Sequence, residues 1–128
     1  MRIQEFLALN SGGLLDEDGD DSDWIEIHNA SSAAVNLVGW SLTDDMGTLG
    51  QWSFPSVTLP AGGYLVVFAS GKDRAVSGAE LHTNFKLSGG GEFLALVGPD
   101  GVTIESSYAP AYPAQKENIS YGLSLIHI

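Results

Sequence analysis

The sequence predicts an all-β fold, an immunoglobulin-like sandwich of two antiparallel sheets, and three observations predict it. Apolar residues come in short bursts, and Gly, Pro, Asn, Asp and Ser fill the spaces between them. No window holds the i, i+3, i+4, i+7 spacing of an amphipathic helix long enough to argue one. A chain of 128 residues has room for one domain with a real core. Short strands with turn signals at such spacing fit a two-sheet sandwich or a barrel, and at this length the immunoglobulin-like sandwich is the commonest solution.

The elements follow in order. Residues 2–10 (RIQEFLALN) read as the first strand and 23–30 (DWIEIHNA) as the second. In the second, Ile25 and Ile27 point one way while Trp24, Glu26 and His28 point the other, the alternation of a half-buried strand. Further strands are expected at 34–44 (AVNLVGWSLTD), 51–59 (QWSFPSVTL), 63–70 (GYLVVFAS), 82–88 (HTNFKLS), 92–98 (EFLALVG) and 102–109 (VTIESSYA). The run YLVVFA is apolar on both faces and so belongs in the interior of its sheet, with the second face also covered. Between strands, LPAGG (59–63), SGGGE (88–92) and GPDG (98–101) read as hairpin reversals, the last with Asp100-Gly101 where a tight turn needs positive φ. Trp24, Trp40, Trp52, Phe54, Tyr64, Phe68, Phe85 and Phe93 supply most of the core. No repeat of fixed period is visible.

Composition narrows the partners. The net charge is 5 − 16 = −11, and seven of the acids lie between Asp16 and Glu26, which leaves 5 − 9 = −4 for the rest. Arg2, Lys72, Arg74, Lys86 and Lys116 are dispersed along the sequence, so no basic cluster meets a phosphate backbone and nucleic acid is not an expected partner. No apolar run approaches the roughly 20 residues of a membrane-spanning helix. The opening MRIQEFLALNSGG has too short and too interrupted an apolar core for a signal peptide. With no cysteine there is neither a disulfide framework nor a thiolate zinc site.

The stretch LLDEDGDDSDWIE (14–26) is the main candidate site. Asp16, Asp18 and Asp20 have the 1, 3, 5 spacing with which an acidic loop wraps a hard cation such as calcium. The remainder of the helix-loop-helix calcium pattern fails: Asp21 stands at position 6, where Gly is needed, and Ile27 at position 12, where a bidentate Glu belongs. What remains is an acidic connection with Asp21, Asp23 and Glu26 as further candidate ligands. Its repulsion is relieved by water and salt, by a bound cation, or by a protein contact. Asp23 and Glu26, at the entry to a core strand, also read as structural residues.

Catalysis finds no support. A hydrated loop offers no apolar pocket to raise the pKa of one carboxylate of a pair. There is no Cys and no G-x-S-x-G elbow, and His28 and His82 stand alone in sequence. SGKD (70–73) lacks the preceding Gly and following Ser or Thr of a phosphate loop. Should some aromatics lie on the surface to stack on sugar rings, Trp52, Tyr108 and Tyr112 are the candidates.

Taken in order, DWIEIHN, VNLVGWSLTDD, WSFPSVTLPAGGYLVVFASGKD and LHTNFKLSGGGEFLALVGPDG resemble the lamin-tail domain as it occurs in bacterial exported proteins, across residues 2–122. The resemblance implies an immunoglobulin-like sandwich with no catalytic residue of its own, in extracellular or cell-surface proteins beside hydrolase or anchoring domains. The nuclear role of the fold in animals does not carry over, because the chain has no coiled-coil heptads. The function expected is that of a non-catalytic binding, adhesion or accessory module of a larger exported protein. Its expected partners are a protein, a cell-surface polysaccharide or neighbouring domains of the same chain. The alternatives are a spacer with a calcium-stabilised acidic loop, and a fragment of a multidomain hydrolase whose catalytic domain lies elsewhere.

Residues 1–122 form the expected domain. The last six residues, LSLIHI (123–128), match the translation of a transposon-end adapter used in sequencing libraries and read as a non-native tail. On that reading the natural chain continues beyond Gly122, and Met1 can be an internal methionine.

Overall fold

The computed structural model describes residues 1–7, 14–87, 93–108 and 121–122, with backbone alone at 7, 108, 121 and 122. In chain order the strands are β1 (Arg2–Leu7), β2 (Asp23–His28), β3 (Val35–Asn36), β4 (Ser41–Thr43), β5 (Trp52–Ser53), β6 (Thr58–Leu59), β7 (Tyr64–Ala69), β8 (Leu81–His82), β9 (Leu94–Val97), β10 (Ile104–Tyr108) and β11 (Tyr121–Gly122). They build a five-stranded sheet in the order β11-β1-β2-β7-β8, a four-stranded sheet β10-β9-β4-β5 and a small β3-β6 pair. Every pairing is antiparallel except β7 with β8, which is parallel.

The alternation read in DWIEIH is realised. Ile25 and Ile27 are fully buried while Asp23, Trp24, Glu26 and His28 are half-buried. On the inner face of the large sheet, Ile3, Ile25, Ile27, Val67, Ala69 and Leu81 meet Leu42, Trp52, Leu94 and Leu96 of the smaller one. This is the two-layer core of a sandwich, which residues of period two supply from both sheets.

Two expected strands are each divided. The 34–44 segment breaks after β3, where Trp40 N–H bonds Leu37 O at 2.9 Å and Gly39 takes φ 85°, a left-handed conformation that favours glycine. The 51–59 segment breaks between β5 and β6 at Pro55, which has no N–H to continue a ladder. LPAGG turns the chain as expected, with Gly63 N–H on Pro60 O at 2.9 Å, yet it is no hairpin. β6 pairs with β3 and β7 pairs with β2 and β8, so this turn passes the chain between sheets. GPDG does close the β9–β10 hairpin, with Gly101 at φ 78° and Gly98 N–H on Thr103 O at 2.8 Å. SGGGE lies outside the described residues.

One residue ties the loops at one end together. Asn29 is fully buried, and its Nδ2 donates to the carbonyls of Ala33, Leu59 and Pro60 at 2.9, 3.0 and 3.2 Å. Its Oδ1 accepts from Ser31 N–H and Oγ at 3.1 and 2.6 Å. The carboxamide thereby satisfies carbonyls in two loops and at the end of β6.

β7 is flanked by β2 and β8, as its apolar run predicts. Its outer face, however, is covered only in part: Tyr64 is exposed, Val66 half-buried and Phe68 buried. Phe68 stacks on His82 of β8 with ring centroids 5.4 Å apart. His82 in turn lies beneath the acidic loop, where Asp16 and Glu17 approach its ring nitrogens.

Candidate functional site

Asp16 organises the acidic loop. Its side chain is fully shielded from solvent although its neighbours are exposed. Oδ1 accepts the N–H groups of Asp18 and Asp20, each at 3.0 Å, and Oδ2 accepts Ser22 Oγ–H at 2.8 Å. Two backbone bonds, Asp16 N–H to Asp20 O and Gly19 N–H to Asp16 O, both 2.9 Å, close the turn, with Gly19 at φ 78°. The chain therefore curls around one carboxylate, and the alternate residues 16, 18 and 20 bring oxygens within 4.8 Å of one another. The 1, 3, 5 spacing read in the sequence is a real convergence.

At the centre of that convergence stands an ammonium group. Lys72 Nζ lies 2.7 Å from Asp16 Oδ2, 2.8 Å from Asp18 Oδ2 and 2.7 Å from Asp20 Oδ2. Arg74 joins it, with Nη1 at 2.8 Å from Glu17 Oε1 and Nη2 at 2.9 Å from Asp18 Oδ2. Both cations come from the segment after β7, which Gly71 at φ 77° and Asp73 at φ 54° kink. Paired bonds between Arg74 and His82, N–H to O at 2.9 Å in both directions, anchor this segment on β8.

The electrostatics follow. Burial pushes the Asp16 carboxyl up, but Lys72, Ser22 and the Asp18 and Asp20 amides outweigh it and hold the group well below the usual carboxylate range. Lys72 and Arg74 likewise lower Asp18. The three aspartates raise Lys72, and Asp18 and Glu17 raise Arg74.

The remaining candidates are scattered. Asp21 and Asp23 line a polar cleft of about 290 Å³ with Asp20, Ser22, Ser70, Lys72 and Lys86, beside the convergent set and not in it. Glu26 stands away from the cluster on β2, opposite Glu5 on one side and Val66 on the other. Its carboxyl is raised by burial and by the Glu5 charge. Trp52, a candidate for an exposed platform, is 3% exposed and packs edge-on against Phe54 at 5.0 Å in the core. It points inward because β5 alternates Trp52 in and Ser53 out. The Tyr108 side chain and all of Tyr112 lie outside the described residues.

Sequence reasoning missed Lys72, Arg74, Glu80, Ser70 and His82 as members of the site. SGKD reads in the sequence as a failed phosphate loop, and dispersal along the chain does not keep the fold from bringing Lys72 and Arg74 to one acidic loop. The available signal was Lys72 and Arg74 two apart, which puts both on one side of an extended segment.

By its fold the chain is an immunoglobulin-like β-sandwich module. The model of the Lamin Tail Domain family matches residues 13–110, and the chain belongs to that family. The family is one of non-catalytic immunoglobulin-like domains. No curated protein and no solved structure matches the chain.

Proposed function

We propose that this lamin-tail domain is a binding or adhesion module of a larger exported bacterial protein, placed outside the cell or on its surface, and that it contacts a surface polysaccharide or protein. One observation supports the reading above others. On the outer face of the five-stranded sheet, Tyr64 is 57% exposed and stacks on His28 with centroids 4.3 Å apart and planes 11° from parallel. Half-buried Trp24 and Val66 share that face. A flat, rigid aromatic surface suits a sugar ring or an apolar side chain, and a sheet holds it without loss of order on binding. Binding to glycan arrays and surface-protein pull-downs tests this: Tyr64→Ala should abolish capture, and a wild-type domain that captures nothing at millimolar ligand refutes it.

A second reading is a spacer whose acidic loop is stapled by calcium, and the convergence of Asp16, Asp18 and Asp20 supports a cation there. Lys72 supplies one from within the chain. We take Lys72 as the resident counter-ion, which a calcium ion must displace to enter.

A further inference from the structure

We propose that His82, Glu17 and Glu80 form a binding site for a divalent transition-metal ion of the zinc class, which clamps the acidic loop onto the outer face of the large sheet. His82 is fully buried, and among the described residues its Nε2 has no hydrogen-bond partner. A buried imidazole nitrogen left in that state calls for an explanation. Nε2 points between two carboxylate oxygens, Glu17 Oε1 and Glu80 Oε1, each 3.5 Å away. That is longer than the roughly 2.7–3.2 Å of an N–H···O bond. It matches the edge of a tetrahedron around zinc, about 3.3–3.6 Å when metal–ligand bonds are about 2.0–2.2 Å. All three ligand atoms lie within 4.8 Å of one another.

The surroundings fit a metal. The other ring nitrogen, Nδ1, lies 2.8 Å from Ser70 Oγ. With the proton on Nδ1 donated to Ser70, the Nε2 lone pair faces the carboxylates, the arrangement that metal-bound histidines adopt. Glu17 N–H donates to Glu80 Oε1 at 2.5 Å, so the two acids are already drawn together. Arg74 holds Glu17 Oε1 at 2.8 Å, and a carboxylate has lone pairs for both partners. Around the site Asp16, Glu17, Asp18, Asp20 and Glu80 face Lys72 and Arg74, a balance of 2 − 5 = −3 that favours a divalent cation. One imidazole with two carboxylates selects zinc, cobalt or nickel over calcium, which takes six to eight oxygens. The fourth position is left to water. Its ligands differ from the Asp16, Asp18 and Asp20 set around Lys72, which adjoins it through Arg74, and it does not depend on the surface-binding reading.

The test uses the full chain without an affinity tag. Zinc is titrated calorimetrically in excess calcium, cobalt is added as a spectroscopic probe, and the imidazole nitrogens are followed by NMR. One equivalent of zinc should bind, shift the His82 Nε2 resonance and raise the melting temperature, and cobalt should give the visible absorption of a tetrahedral site. Because His82 substitutions disturb a buried ring, the deciding variant is Glu17→Gln with Glu80→Gln, whose side chains reach solvent. It should keep the metal-free fold and bind zinc about a hundredfold or more weakly, since even outer partners of a ligand cost 10–100-fold. No stoichiometric binding by the wild type, an unmoved His82 resonance, or equal affinity in the double variant overturns the assignment.

Discussion

Lys72 Nζ and Asp16 Oδ2 meet at 2.7 Å across 56 residues of sequence, one from the segment after β7 and one from the loop before β2. This pair answers the question that seven acids in eleven residues raise. The loop carries its own counter-ion, and its central carboxylate is buried because the ammonium, the Ser22 hydroxyl and two backbone amides receive it.

The three aspartates therefore differ in weight. Asp16→Ala should lower the melting temperature by roughly 5–15 °C, because buried donors lose their acceptor. Asp18→Ala and Asp20→Ala, at exposed positions, should each cost far less. Thermal denaturation followed by circular dichroism ranks them, and equal losses at all three would remove Asp16 from its organising role.

Acid should loosen the loop. The Asp16, Asp18 and Asp100 carboxyls sit below their ordinary values in the folded chain, Asp100 because Thr103 donates to it from side chain and backbone. A depressed folded pKa gives stability that is complete above the unfolded value of about 3.9 and is lost as pH falls through the folded one. Urea midpoints measured from pH 7 downward should hold to about pH 5 and then decline, and Asp16→Asn should flatten the decline. A midpoint that rises between pH 4 and pH 2 would contradict this.

Glu26 carries the opposite sign. Burial and Glu5 opposite it in the register raise its pKa, so its ionised form opposes folding at neutral pH. Its raised folded pKa favours folding below the unfolded value of about 4.3, and that advantage is lost as pH rises through the folded pKa. Glu26→Gln should stabilise the domain at pH 7, with the gain shrinking toward pH 4. Destabilisation at pH 7 would assign the carboxylate a necessary partner.

Asn29→Ala should cost about 2–4 kcal/mol, since three carbonyls and Ser31 lose their partner at a buried point. Denaturant unfolding measures it. A loss below about 0.5 kcal/mol, the usual size for an ordinary surface change, would mean that water replaces the carboxamide without penalty.

Much of the sandwich was legible in the sequence because strand alternation is local: Ile25 and Ile27 inward, Trp24 and Glu26 outward, Asp100-Gly101 at a tight turn. The division of 34–44 at Gly39 and the passage of LPAGG between sheets were not, since an apolar run does not say which neighbour each part pairs with. For the site, the alternate spacing of Asp16, Asp18 and Asp20 is local, and their oxygens do come together. What fills it was hidden, because Lys72 and His82 reach the loop only through the β2–β7–β8 register. His82 acquires Glu17 in the same way, whereas Glu80, two residues before it, is a neighbour the sequence already offers.

Melting curves of the wild type and of Lys72→Met, each in chelator and in about 10 mM calcium, decide whether Lys72 is the counter-ion of the acidic loop. A calcium site of dissociation constant near 10⁻⁴ M would at that roughly hundredfold excess add about 2.7 kcal/mol. The wild-type curve should not move, whereas Lys72→Met should melt lower in chelator and recover in calcium as the metal takes the vacated place. A wild-type melting temperature that climbs with calcium, together with a Lys72→Met variant that melts no lower than the wild type, would mean that Lys72 does not neutralise the loop.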